Sequence, residues 1–127
     1  MNFTSTEKAP SAIGPYSQAV VLNNTVYTSG QIALLPNGSD EIILNGTVEE
    51  QAKQVLENLQ AVLKASGSSL NKVIKTTIFL ADMDDFTSIN KIYSDYFGDH
   101  KPARSTVAVK TLPKNALIEI DAIAVLN

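Results

Sequence analysis

Three features of this 127-residue chain predict an α+β fold, a mixed β-sheet with two helices on one face. First, β-prone runs and helical stretches alternate as β-β-(β)-α-β-α-β-β, which calls for β-α-β crossovers onto one sheet. Second, only two strong helices are present, enough to cover one face of such a sheet. Third, the last strand-like run is apolar on both faces, with Ala116, Ile118, Ile120, Ala122 and Ala124 on one and Leu117, Ile123 and Val125 on the other. Strands covered on both sides read this way. Something outside the chain must cover the second face, and a homo-oligomer is the simplest candidate.

The elements follow in order. Gln18 to Leu22 and Thr25 to Gln31 are β-prone and flank Asn23-Asn24, a pair that tolerates the positive φ of a tight turn, so they predict a hairpin. Leu35-Pro36-Asn37-Gly38 carries turn chemistry, and Glu41 to Leu44 reads as a short edge strand. Thr47 and Glu50 form a capping box ahead of Val48, Ala52, Val55, Leu56, Leu59, Val62 and Leu63, which recur at helical spacing until Gly67. Lys72 to Leu80 is a strand rich in β-branched residues. Asp84 or Asp85 can cap a second helix that runs to about Phe97 and ends at Gly98. Pro102 blocks its continuation. Ser105 to Lys110 and Ala116 to Val125 are the last strands, with a turn around Pro113-Lys114-Asn115.

A hydrophobic content of 44% against 18% charged residues is a globular composition, and the length suits one domain over 1–127. With no cysteine, disulfides, thiolate nucleophiles and cysteine metal sites are excluded. The single histidine, His100, rules out a histidine-pair acid–base mechanism within one chain and leaves any zinc site to carboxylates. A net charge of −3 and the lack of a lysine stripe argue against nucleic acid as the main partner. No apolar run reaches membrane-spanning length, and MNFTSTEKAP is not a signal peptide, so a cytoplasmic protein is expected.

A few polar residues interrupt apolar surroundings. Arg104, in HKPARSTVAV, is the only arginine beside nine lysines. It is either a surface or structural ion-pair charge or a clamp for a carboxylate or phosphate, because only arginine offers a rigid, permanently charged fork of donors. Glu119 alternates with Leu117 and Asp121 and so falls on the face assigned to a subunit contact, unless it simply reaches solvent at a strand edge. Asn90 lies on the apolar stripe of the second helix, either as a structural hydrogen-bonding residue or as a ligand contact. Tyr16 follows Gly14-Pro15, where loop packing is the plain alternative. Since a short turn joins their strands, Arg104 and Glu119 are expected to be neighbours on the sheet, where they could also neutralise one another.

The segment PARSTVAVKTLPKNALIEIDAIA resembles the C-terminal signature of the RidA (YjgF-type) reactive intermediate deaminase family, also called the endoribonuclease L-PSP family. There, Pro-Ala-Arg-Ser precedes a strand, a turn and an apolar-Glu-apolar triplet. The likeness continues through APSAIGPYSQAV, YTSGQI and KTTIFLADMDDFTSINKIYSDYF, and covers essentially the whole chain. It implies a chorismate-mutase-like domain assembled as a homotrimer, with ligand clefts between subunits.

The resemblance further implies hydrolysis of 2-imino acids, or their enamine tautomers, to 2-keto acids and ammonia. By motif, Arg104 would hold the substrate carboxylate and Glu119 would position and activate water. Tyr16, Ser29, Gly30, Asn90 and Thr106 would line the cleft. Thr106 departs from the pattern, because many members carry a cysteine there, so thiol reactivity does not transfer. A protonated imine is already electrophilic, so neither metal nor cofactor is expected, and the partner is a small 2-imino acid. Two other readings are an endoribonuclease acting as a translation inhibitor, and a non-catalytic keto-acid binder or chaperone-like oligomer on the same clefts.

Overall fold

Six strands join into one mixed sheet; the computed structural model describes residues 1–37, 39 and 41–127. The strands are β1 (Asn2–Thr4), β2 (Ala19–Leu22), β3 (Thr25–Thr28), β4 (Val73–Leu80), β5 (Ala103–Ala108) and β6 (Ile118–Val125). Their spatial order is β1-β2-β3-β6-β4-β5. Only β4 and β5 pair in parallel, and the other four neighbours are antiparallel. The helices are α1 (Glu41–Leu44), α2 (Val48–Ala65) and α3 (Phe86–Phe97). The α+β class expected from the sequence is the one observed, and α3 provides the crossover that a parallel β4–β5 pair requires. Among the described residues no helix is long and apolar enough to cross a membrane.

Local chemistry explains most boundaries. Asn23 adopts φ 56° in the β2–β3 turn, as a two-residue hairpin demands. Thr47 caps α2 by accepting from the Glu50 amide at 3.2 Å, and Gly67 (φ 87°) lies just past its end. Along α2, Val55, Leu56, Leu59, Val62 and Leu63 are fully buried against the sheet. Each contributes roughly 1.5–3 kcal/mol of transfer free energy. The aspartate that caps at the start of α3 is Asp82, which accepts from the Asp84 amide at 2.9 Å across a 3-10 turn, whereas Asp85 makes no side-chain cap. Gly98 ends α3 with φ 61°.

Two further expectations need correction. Glu41 to Leu44 is helical, not an edge strand. Its carbonyls are taken up locally, Ile43 O by the Gly46 amide at 2.9 Å and Leu44 O by Gln51 Nε2 at 3.1 Å, so no strand partner is needed. The third strand of the first half is instead β1, in an N-terminal segment too short and polar to announce itself. Most consequential is β4, which lies between β5 and β6, so Arg104 and Glu119 are not on neighbouring strands. Chain proximity through a short turn does not set strand order when the turn crosses over another strand. Of the turn expected at Leu35-Pro36-Asn37-Gly38, Gly38 lies outside the described residues.

The two faces of the sheet differ. Beneath the helices, Ile118, Ile120, Ala122 and Ala124 of β6 and Thr76, Ile78 and Leu80 of β4 are buried. On the opposite face, Phe3, Leu22, Tyr27 and Val107 are exposed, and Val20, Phe79, Ile123 and Val125 are partly so. Register places all eight on one side, through Phe3↔Val20↔Tyr27↔Ile123, Leu22↔Thr25↔Val125 and Phe79↔Val107. This is the two-sided apolar sheet read from the sequence, with one side uncovered.

Candidate active site

Arg104 sits on β5 in register with Thr76, so its side chain rises on the helix face beside α3. There Nη1 donates to Asn90 Oδ1 at 3.0 Å. The guanidinium carbon lies 5.3 Å from the Phe86 ring centroid and 5.0 Å from that of Tyr93, inside the range of cation–π attraction. Among the described residues the one salt bridge is the exposed Lys91–Asp95 pair, so no carboxylate neutralises Arg104. The structural ion pair left open by the sequence is therefore not formed. Asn90, Tyr93, Phe97, His100, Lys101 and Arg104 line a cavity of about 250 Å³ with no acidic side chain among its described residues. Burial pushes the Tyr93 phenol up, against the opposing pull of its Thr76 hydrogen bond and of Arg104, so it stays neutral.

Glu119 lies on β6 opposite Phe79, on the uncovered face. It is half-buried, and burial, reinforced by nearby Asp121, raises its carboxyl above the ordinary value of 4.5. The carboxyl group rests against Gly30. A Cβ added there would stand 2.5 Å from Glu119 Oε2, closer than any real Cβ contact, so any larger residue here would push the Glu119 carboxyl out of its present place. The backbone holds Gly30 in place because Gln31 and Ile120 exchange N–H···O bonds of 2.9 and 3.2 Å. Asn58 of α2, 1% exposed, secures the following residues by donating to Ile32 O at 3.2 Å and Leu34 O at 2.8 Å. Tyr16, Gly30, Gln31, Ile32 and Glu119 line a second cavity of about 290 Å³ whose other walls are mainly apolar.

The predicted residues thus fall into two groups. Arg104 and Asn90 share one cavity; Tyr16, Gly30 and Glu119 share the other, and the two have no lining residue in common. Ser29 is near the second but donates its hydroxyl hydrogen bond to Ser17 O. Thr106 lines neither, and its buried Oγ1 has no hydrogen-bond partner among the described residues. In β4 register, Arg104 stands at Thr76 and Glu119 at Phe79, an odd spacing that puts them on opposite faces.

Residue-by-residue reading missed the fixing groups. Gln18 is buried, with its amide bonded to Thr6 N at 2.7 Å and Pro10 O at 2.8 Å, which ties the N-terminal segment to β2 and so helps to shape the Glu119 cavity. Gln31 and Asn58 are buried too. The available signal was polarity at positions flanked by apolar residues, Asn58 within the α2 stripe most clearly.

Residues 6–126 match the sequence profile of the family described as Endoribonuclease L-PSP. The chain is 53% identical over 121 residues to a mouse protein named 2-iminobutanoate/2-iminopropanoate deaminase, covering 95% of this chain and 88% of that one. It is 50% identical over 119 residues to a RutC family protein of Pyrococcus abyssi, covering 94% and 92%. Among solved structures, Escherichia coli TdcF, crystallised with bound serine, superposes with a TM-score of 0.93 at 42% identity over all of both chains.

Proposed function

The chain belongs to the endoribonuclease L-PSP (RidA, YjgF-type) family, and from that premise we propose that it hydrolyses 2-imino acids to 2-keto acids and ammonia. The observation that carries this reading is a half-buried arginine with no carboxylate partner among the described residues, aimed into a cavity whose described lining has no acidic group. A charge so placed is costly unless an anion completes it. The substrate carboxylate does so through two parallel N–H···O bonds.

Arg104 and Glu119 then act together only if cavities of two different protomers meet. We therefore take the working form to be a homotrimer in which the Arg104 cavity of one copy faces the Glu119 cavity of the next. The uncovered apolar face supports such an assembly. Within the cleft, water adds to C2 of the iminium while Glu119 accepts its proton. That proton passes to the amine nitrogen. As the C2–N bond breaks, the new C2 hydroxyl gives its proton to Glu119, releasing keto acid and ammonia, which leaves as ammonium once it takes up that last proton. A carboxyl raised by burial suits these transfers, because it is a stronger base than an ordinary glutamate and takes up the water proton more readily.

An amino-acid oxidase that generates 2-iminobutanoate in situ tests the reading. Addition of the protein accelerates 2-oxobutanoate formation, and Arg104→Lys, which keeps the charge but loses the fork, abolishes most of the gain. Equal rates with and without protein refute it. Sedimentation as a monomer at micromolar concentration refutes the shared cleft. Ribonuclease activity, which the family description suggests, is opposed by the net charge of −3 and by the lone His100, whose Nε2 is engaged on Val73 O at 2.6 Å.

A further inference from the structure

Arg104 is held by a stack of side chains in place of a charge partner. Thr76, its register neighbour on β4, is fully buried. A buried hydroxyl needs a hydrogen-bond partner, and Thr76 Oγ1 finds one in the Tyr93 hydroxyl at 2.8 Å. The Tyr93 ring also packs on Phe97, with centroids 4.5 Å apart. Its phenolic end and one edge are therefore both fixed, and the guanidinium carbon lies 5.0 Å from its centre.

We propose that Tyr93, locked through its hydroxyl to Thr76, is a positioning residue that sets the plane of the Arg104 guanidinium so that its free N–H edge meets a carboxylate. The inference rests on the carboxylate-clamp reading given above. Of the five N–H donors on a guanidinium, Asn90 takes one at Nη1. The ring against its face restricts rotation of the rest without consuming a donor. Without that wall only Phe86 and Asn90 hold the guanidinium, and more of its ordering falls on each binding event, which weakens binding while leaving the chemical step alone. The effect therefore belongs in KM and in product affinity, and kcat should change little.

The single arginine makes a direct test possible, because its side-chain Nε–Hε gives one unambiguous NMR resonance. In the wild-type protein this resonance is displaced by ring currents and reports an ordered group. In Tyr93→Leu it moves toward the free-arginine position, KM for 2-iminobutanoate and Kd for 2-oxobutanoate rise about tenfold, and kcat stays within about threefold. Tyr93→Phe, which keeps the ring, and Thr76→Val, which frees it, each lose only about threefold in affinity. Should Tyr93→Leu fail to fold, Tyr93→Met serves, since its flexible side chain fills the gap without an aromatic face. Folded Tyr93→Leu with an unmoved resonance and unchanged Kd overturns the proposal, as does a loss confined to kcat. Shifts in resonance and Kd as stated, in a protein without imine turnover, uphold the positioning role and remove only the deaminase reading.

Discussion

Arg104 and Glu119 are both half-buried charges on one sheet, yet opposite materials hold them. Around Arg104 the fixing groups are side chains: the rings of Phe86 and Tyr93 and the amide of Asn90. Around Glu119 the fixing group is backbone, the bare Cα of Gly30 braced by the Gln31–Ile120 bridge. Several side chains share the first task, so losing one leaves the others in place. A backbone wall has no such redundancy, because a single added methyl group occupies the space the carboxylate needs. The arginine side should therefore degrade by steps and the glutamate side should fail abruptly.

The largest effect expected is on the glutamate side. Glu119→Gln keeps the shape but cannot accept a proton, and turnover should fall about 10²–10⁴-fold while 2-oxobutanoate still binds. Near-wild-type turnover in the folded variant would remove Glu119 from the chemistry. Gly30→Ala comes next, with an expected loss of roughly 100-fold in kcat and little change in the affinity contributed by Arg104. A crystal structure of that variant should show the carboxyl displaced, and an unmoved carboxyl breaks the contrast. On the arginine side, Asn90→Ala should cost only about tenfold in kcat/KM, because the rings remain. A loss as steep as that of Gly30→Ala would mean that the two sides are equally brittle.

The smallest effect concerns stability. Because burial raises the Glu119 carboxyl, the folded chain holds that proton more tightly than the unfolded chain. The stability this group contributes is complete below the unfolded value and is lost as pH rises through the elevated folded one. Glu119→Gln escapes that loss, so its Tm should exceed the wild-type Tm by a small margin at about pH 8 and converge with it at about pH 4. A gap of constant size across this range would show that Glu119 titrates normally.

Much of the fold could be read from the sequence because its signals are local. The Thr47 cap, the Asn23 turn, the Gly98 stop and the α2 stripe each follow from a few adjacent residues. Residues 41–44 misled because a short apolar run fits strand and helix alike, and one of the bonds that takes up its carbonyls comes from Gln51, seven residues beyond Leu44. Strand order is a non-local property, so the insertion of β4 between β5 and β6 left no mark in the segments that carry Arg104 and Glu119. The same was true of the site. The charged residues stood out one at a time, whereas their separation onto opposite faces depends on the register of a third strand. Only the family resemblance grouped them.

The grip of Asn58 on Ile32 and Leu34 has a consequence for motion. A segment beside a ligand cavity would ordinarily be among the first to open in local fluctuations. Here its carbonyls are bonded to a side chain from the middle of α2, whose apolar stripe is fully buried against the sheet. Releasing residues 31–34 therefore means disturbing α2 itself. The amide of Gln31, already bonded to Ile120 O, should exchange with solvent deuterium about as slowly as the core amides of α2, so the floor beneath Glu119 opens only when the domain unfolds.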